Sequence, residues 1–222
     1  MTDLKFPNET PEYRHARDTL LKAEIELRQQ IERVAALRRK LQLGGAVRED
    51  YVFEELDDNG KVRQIKLSEL FEGENDALFL YGFMYGPKMK EPCPMCSSLL
   101  DGLNGNAGQI TQRINFAVVA RSPIHQIVKF AKARGWNDLH LLSSANNSYH
   151  IDYFAEDAEG AQMPMANVFV RRDGSVHHFW GSELLYADVE GNARHMDLMW
   201  PLWNVLDTTP DGRGDWYPSL TY

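Results

Sequence analysis

Only two cysteines occur in 222 residues, Cys93 and Cys96, so a framework of stabilising disulfides is excluded; such frameworks belong to small secreted domains with many bridges. Long apolar runs are missing as well. No stretch approaches the roughly 18 uninterrupted apolar residues that a membrane span needs. The first residues, MTDLKFPNETPEYRHARD, are polar and lack the basic-then-apolar order of a signal sequence, so a cytoplasmic protein is expected. Positive charge is in short supply: 24 Lys and Arg against 32 Asp and Glu give a net charge of -8, which repels phosphate backbones and anionic lipid. Nucleic acid and membrane are therefore not expected partners. No internal repeat, no low-complexity tract and no Gly-x-Ser-x-Gly elbow of a serine hydrolase appears.

What is present suffices for one sizeable core and an appendage. Residues 10–43 read as a long helix: Thr10 suits the cap, Pro11 the first helical position, and Leu20, Leu27, Ile31, Val34 and Leu41 share a stripe. Leu20, Leu27, Val34 and Leu41 recur by sevens, so a homodimer through this helix stands beside the alternative of an amphipathic helix packed on its own domain. Gly44-Gly45 stops it. The expected division is residues 1–45 as a helical appendage and 46–222 as the main domain.

Two alternating segments around Asp58-Asn59-Gly60 predict a hairpin rather than a calcium loop, whose later ligands are missing. The apolar run 77–86 predicts a buried strand. Helical spacing follows at Leu99, Leu100, Leu103 and Ile110, then a strand over 114–121 and a helix over 122–136 with Ser122 as its cap. A short strand LHLLSS, a polar loop to about 162, a hairpin turning at Asp173-Gly174, a closing helix over about 194–206 and an exposed tail complete the chain. Alternating strands and helices argue for parallel pairing with helices on both faces, and the final hairpin makes the α/β sheet mixed.

Cys93 and Cys96 fall where the run 77–86 gives way to the helix. Cys93 at a helix N-terminus meets unpaired N–H groups and the positive end of the helix dipole, both of which stabilise a thiolate. Cys96, one turn later, lies within bridging reach, so the first thiol attacks and the second resolves. Lys88 and Lys90 would add to thiolate stabilisation and Glu91 would oppose it. Pro94 fits the first turn, where it removes an N–H without a partner. No bound cofactor is needed, because the dithiol carries two electrons; a reductant must restore it. Metal binding is the rival reading. With no second cysteine pair, histidines among His140, His150, His177, His178 and His195 would have to complete a site, and His177 and His178 must face opposite ways on a strand. Other isolated histidines, such as His125, read as surface or satisfied core residues. Trp180, Trp200, Trp203 and Trp216 read as packing residues. A non-enzymatic interaction protein that keeps its cysteines as small core residues is the third reading.

Cys-Pro-Met-Cys after a buried strand, in this order of elements, resembles the thioredoxin superfamily. FMYGP (83–87), CPMCS (93–97), VVARSP (118–123), RGW (134–136), VFVRRDG (168–174) and LWNVLDTTPDGRG (202–214) together resemble a thioredoxin-like group, the domain of unknown function 899 family, from about residue 12 to 214. The resemblance implies a thioredoxin-like mixed sheet flanked by helices and thiol-disulfide exchange with an unidentified disulfide or dithiol protein, or a small thiol. It makes Cys93 and Cys96 the catalytic pair, tuned by Pro94 and Met95. It also makes Pro164 a candidate cis-proline, in which case the backbone of Met163 would pair with an extended substrate. Two departures limit the likeness. Gly86 and Lys90 stand where a peroxiredoxin needs its proline and its Thr or Ser, and Pro92-Cys93-Pro94-Met95-Cys96 replaces thioredoxin's Trp-Cys-Gly-Pro-Cys. Potentials in the superfamily span roughly -270 to -120 mV, set partly by that dipeptide.

Overall fold

The computed structural model describes residues 4–190, 194 and 196–221. The chain divides into two compact units, Met1–Gln42 and Leu43–Tyr222. The first is α1, Pro11–Arg39. The Thr10 hydroxyl accepts the Tyr13 N–H at 3.2 Å, the cap that its sequence predicts, and Glu9 holds the Arg14 side chain. None of its residues is buried, and Leu20, Leu27, Leu37 and Leu41 are exposed.

The second unit is built on a seven-stranded mixed sheet ordered β2-β1-β5-β4-β3-β6-β7. Its strands are β1 Val52–Leu56, β2 Val62–Lys66, β3 Ala77–Phe83, β4 Asn115–Ala120, β5 Leu141–Ser143, β6 Met165–Arg172 and β7 Ser175–Gly181. β3, β4 and β5 are parallel, β6 pairs antiparallel with β3, and β7 pairs antiparallel with β6 at the edge. Helix α2, Pro94–Ile110, joins β3 to β4, and α3, Ile124–Arg134, joins β4 to β5. This is the arrangement of a thioredoxin-like sheet, with β1 and β2 added beyond β5.

Alternation along the strands sorts the core into two layers. Phe79, Tyr81 and Phe83 of β3, with Phe116, Val118 and Ala120 of β4, meet Leu99, Leu100 and Ala107 of α2, Ile127 and Ala131 of α3, and Trp203 of α5, Pro201–Leu206. Leu78, Leu80, Ala117 and Val119 face the other way. They are covered by Tyr51, Phe53, the short turn Leu67–Leu70 and the four-residue α4, Tyr149–Asp152. The two faces are therefore covered unequally: all the longer helices of this unit lie on one, and aromatic rings fill the other.

Several boundaries differ from expectation for local reasons. The strand ends at Phe83, because Tyr85 N–H turns back to the Phe83 carbonyl at 2.7 Å. Ser122 does not cap α3; Pro123 occupies that place, and the Ser122 N–H donates to the Tyr85 carbonyl at 2.9 Å. Gly135, at φ 79°, closes α3 in a left-handed conformation. The closing helix is split into a turn at Asp197–Met199 and α5, since the residue before Pro201 is driven to extended backbone; Trp200 has ψ 91°. The polar loop before residue 162 contains α4, whose Tyr149 and His150 are buried. The tail is only partly exposed, because Pro218 is buried and the Leu220 carbonyl accepts from Arg134 at 2.6 Å. Among the described residues, no helix is long and apolar enough to cross a membrane.

Candidate active site

Cys93 is the N-cap of α2 and Pro94 its first helical residue, as the sequence predicts. The nine residues between β3 and Cys93 are closed into a loop by the Cys93 N–H, which donates to the Met84 carbonyl at 3.0 Å. Inside that loop the Gly86 N–H reaches the Met89 sulfur at 3.2 Å, and a Cβ on Gly86 would stand 2.9 Å from Gln162 Cγ. A side chain at 86 would force the Gln162 side chain to move. Met84, Met89 and Met95, like Cys93, are partly buried side chains packed against the core layer that contains Cys96.

The two sulfurs occupy different environments. Cys93 is partly exposed and Cys96 is buried, 2% exposed. The Cys93 thiol is held down to about 6, first by the hydrogen bond it receives from the Cys96 thiol and then, against the opposing effect of burial, by the backbone N–H groups of Cys96 and Met95. Cys96 is pushed the opposite way, first by burial and then by its donation to Cys93. One sulfur is thus set up as thiolate and the other as thiol. Neither Lys88, Lys90 nor Glu91 is among the groups that shift Cys93; thiol and amide donors take the place expected of the lysines.

Tyr81 is a site residue that the sequence pattern did not mark. It is 1% exposed, on the β3 face toward α2, and its hydroxyl donates to the Cys96 sulfur, lowering the cost of a thiolate there. Burial, followed by the nearby Cys96, raises its own pKa well above the usual phenol range, so the proton stays available. Under the dithiol exchange expected from the sequence, a Tyr81→Phe variant slows the resolving step by about tenfold, the worth of one hydrogen bond to a charged group, so that a mixed disulfide on Cys93 accumulates. Mass spectrometry of quenched turnover reads this directly. Equal intermediate levels in variant and parent would remove Tyr81 from the mechanism.

A second unmarked group comes from the tail. Arg213 stacks over Trp203 with its guanidinium 4.6 Å from the ring centroid, and Trp216 meets the same ring edge-on at 6.0 Å. Between Trp216 and the Leu220 carbonyl lies Tyr217, within electrostatic reach of both sulfurs; its pKa is raised by burial first and then by Cys93 and Cys96. The anchor of the far end, Arg134, also grips Asp101 of α2 at 2.7 and 3.1 Å, and Asp101 accepts the Trp136 indole N–H at 2.8 Å.

Met163 and Pro164 lie at the same end of the sheet, since Met165 begins β6 opposite Gly82. The peptide before Pro164 is trans, as are all described peptides, and the Met163 N–H donates to the Ala155 carbonyl at 2.9 Å. That donor is therefore already engaged. Among the described residues, no hydrogen bond ties Met163 or Pro164 to the sulfurs.

The histidines are spread over separate partners. His140 meets Glu55 at 2.5 Å, His150 meets Ser144 at 2.6 Å, His177 meets the Gly44 carbonyl at 3.3 Å and His178 meets Asn167 at 3.0 Å. His195 lies outside the described residues. Among the described residues, no three His, Cys, Asp or Glu side chains are grouped to hold a metal ion.

The profile of one bacterial family, described as a protein of unknown function (DUF899), matches residues 4–221. The chain belongs to the DUF899 family. A search of curated proteins finds no match. Among solved structures, this DUF899 chain is similar to a reduced 2-Cys peroxiredoxin of Plasmodium vivax, at 17% identity and TM-score 0.46 over 60% of this chain and 81% of that one. It is similar to thioredoxin peroxidase I of Plasmodium yoelii, at 16% identity and TM-score 0.48 over 80% and 100%. It is also similar to the peroxidoxin BcpB of Mycobacterium tuberculosis, at 20% identity and TM-score 0.42 over 75% and 98%.

Proposed function

We propose that this chain is a thiol-disulfide oxidoreductase in which Cys93 is the nucleophile and Cys96 the resolving thiol, acting on a disulfide-bearing protein or small thiol compound. The observation that carries the reading is the unequal pair: a partly exposed sulfur at a helix N-cap with its pKa near 6, backed by a buried thiol that donates to it. The Cys93 thiolate attacks one sulfur of the substrate, expelling the other as a thiolate. Cys96 then gives up its proton and attacks Cys93, releasing the second substrate thiolate and leaving the Cys93–Cys96 disulfide. Two electrons pass to the substrate, and a dithiol reductant must return them. Pro94 and Met95 separate the cysteines by one turn, and the Met163-Pro164 segment borders the approach.

Alkylation of each cysteine by iodoacetamide across pH 4 to 10, read by peptide mass spectrometry, tests this. Cys93 is expected to react with an inflection near pH 6 and a rate that is flat above about pH 7, because the thiolate is the reactive form. Cys96 is expected to stay unmodified in the native protein. An inflection near the free-cysteine value of about 8.5 would remove the chemical basis of the proposal.

A further inference from the structure

Helix α1 carries apolar side chains on a face that the described residues leave uncovered. None of its 29 residues is buried, and Leu20, Leu27 and Leu37 are 47%, 60% and 66% exposed. The stripe also differs from the one expected, because Leu41 falls past the C-cap at Lys40. Within the helix the seam is Tyr13, Leu20, Leu27 and Val34, recurring by sevens. The positions three further on are two alanines, a glutamine and Leu37, so no charge falls on the seam, and the alanines let a second backbone come close. A helix gains most of its stability by packing an amphipathic face, and an isolated one is marginal in water. A helix about 43 Å long with an open seam therefore calls for a partner surface of similar length.

Charge decides which partner and which direction. Residues 9–26 hold five acids and three bases, whereas residues 27–42 hold one acid and five bases. The helix dipole explains such a bias only in the first and last turns, yet Glu24, Glu26, Arg28 and Arg33 lie well inside. We propose that α1 pairs with α1 of a second copy of this chain, antiparallel, with Leu20 level with Leu37. That register sets Glu24 level with Arg33 and Asp18 level with Arg39, twice over by symmetry. Arg17 with Lys40 is the one like-charged level, and it falls at the helix end. Sliding by one heptad, so that Leu20 meets Gln30, would set Asp18 level with Glu32 and Lys22 with Arg28. Parallel pairing in register would set the five bases of one copy against the same five of the other. The segment is thus complementary to itself only when reversed, and a second copy supplies both the length and the charge order.

Sedimentation velocity of the reduced full-length protein, from about 1 to about 200 μM, reads the assembly. Dithiothreitol in the buffer removes any dimer linked through Cys93. A reversible monomer-dimer equilibrium is expected, with Kd on the order of micromolar, as suits an interface of one helix per copy. Leu20→Glu/Leu27→Glu is expected to be monomeric throughout, because it sets charges on the seam of both copies. Both side chains are exposed, so the melting temperature of the main domain is expected to stay unchanged, which separates lost pairing from lost folding. Direction is read in the Cys93→Ser/Cys96→Ser background by mixing a Leu20→Cys protein with a Leu37→Cys protein and oxidising. A cross-link that joins the two different proteins supports the antiparallel pair, whereas Leu20→Cys linked mainly to itself overturns it. A parent that is monomeric at every concentration, or a dimer that survives Leu20→Glu/Leu27→Glu, overturns the pairing through α1 altogether.

Discussion

Serine in place of Cys93 is expected to lower disulfide exchange by about a thousandfold or more, because a hydroxyl at neutral pH is not ionised and the step has no other nucleophile. The expectation rests on the division of labour between the sulfurs. Cys96 is 2% exposed and its thiol is pushed upward by burial and by its donation to Cys93, so it cannot take over as the attacking group. Cys96→Ser gives the opposite signature: attack proceeds, resolution fails, and the substrate stays covalently bound to Cys93. Cys96→Ala adds a titration. It removes the largest of the influences that hold Cys93 near 6, so the alkylation inflection is expected to move up toward the ordinary thiol range. The sign for stability follows from the same shift. A Cys93 pKa below its unfolded value stabilises the reduced fold above about pH 8.5, and this contribution is lost as pH falls through about 6. Retention of more than a tenth of parental exchange by Cys93→Ser, measured with bis(2-hydroxyethyl) disulfide and dithiothreitol, would show that the chemistry lies elsewhere.

The cysteine pair and its place in the fold were legible because their signals are local. A buried run, Pro94 at a first helical position and a Cys-x-x-Cys spacing together fix a strand-to-helix junction, and the Thr10 cap and the Asp173-Gly174 turn follow from the same short-range rules. The rest of the site is not local. The apolar run 77–83 says that a strand is buried, but which face meets α2 depends on its register with β4 and β6, so Tyr81 carried no mark as the partner of Cys96. Tyr217 reaches the dithiol across more than a hundred residues, through an anchor on Arg134 that no spacing rule contains. Lys88 and Lys90 drew attention by charge and proximity in sequence, yet the Cys96 thiol and the backbone N–H groups of Cys96 and Met95 are what lower Cys93, and neither lysine is among its influences. The split of the closing helix at Pro201 was available from the restriction that proline places on the residue before it.

Trp203→Ala is expected to be the most damaging single change outside the dithiol, costing about 3 to 5 kcal/mol. Trp203 is fully buried in the layer that contains Cys96, and it is the surface on which Trp200, Arg213 and Trp216 all pack. Truncation leaves a cavity that a short six-residue helix beside a trans-proline start cannot collapse into, and it strips the tail of its near anchor while the Arg134 end remains. For a domain of this size the melting temperature is expected to fall by about 10 °C. The second consequence separates this residue from any other core tryptophan. With the tail loosened, Tyr217 leaves its place within electrostatic reach of the sulfurs, and Cys93 is expected to react faster with a bulky maleimide while its rate with iodoacetamide changes little. Trp216→Ala tests the tail without the core penalty, since Trp216 is 53% exposed: maleimide access is expected to rise with the melting temperature nearly unchanged. If the maleimide rate in Trp216→Ala matches the parent, the tail does not guard the dithiol, and Trp203 is a core residue whose effect ends at stability.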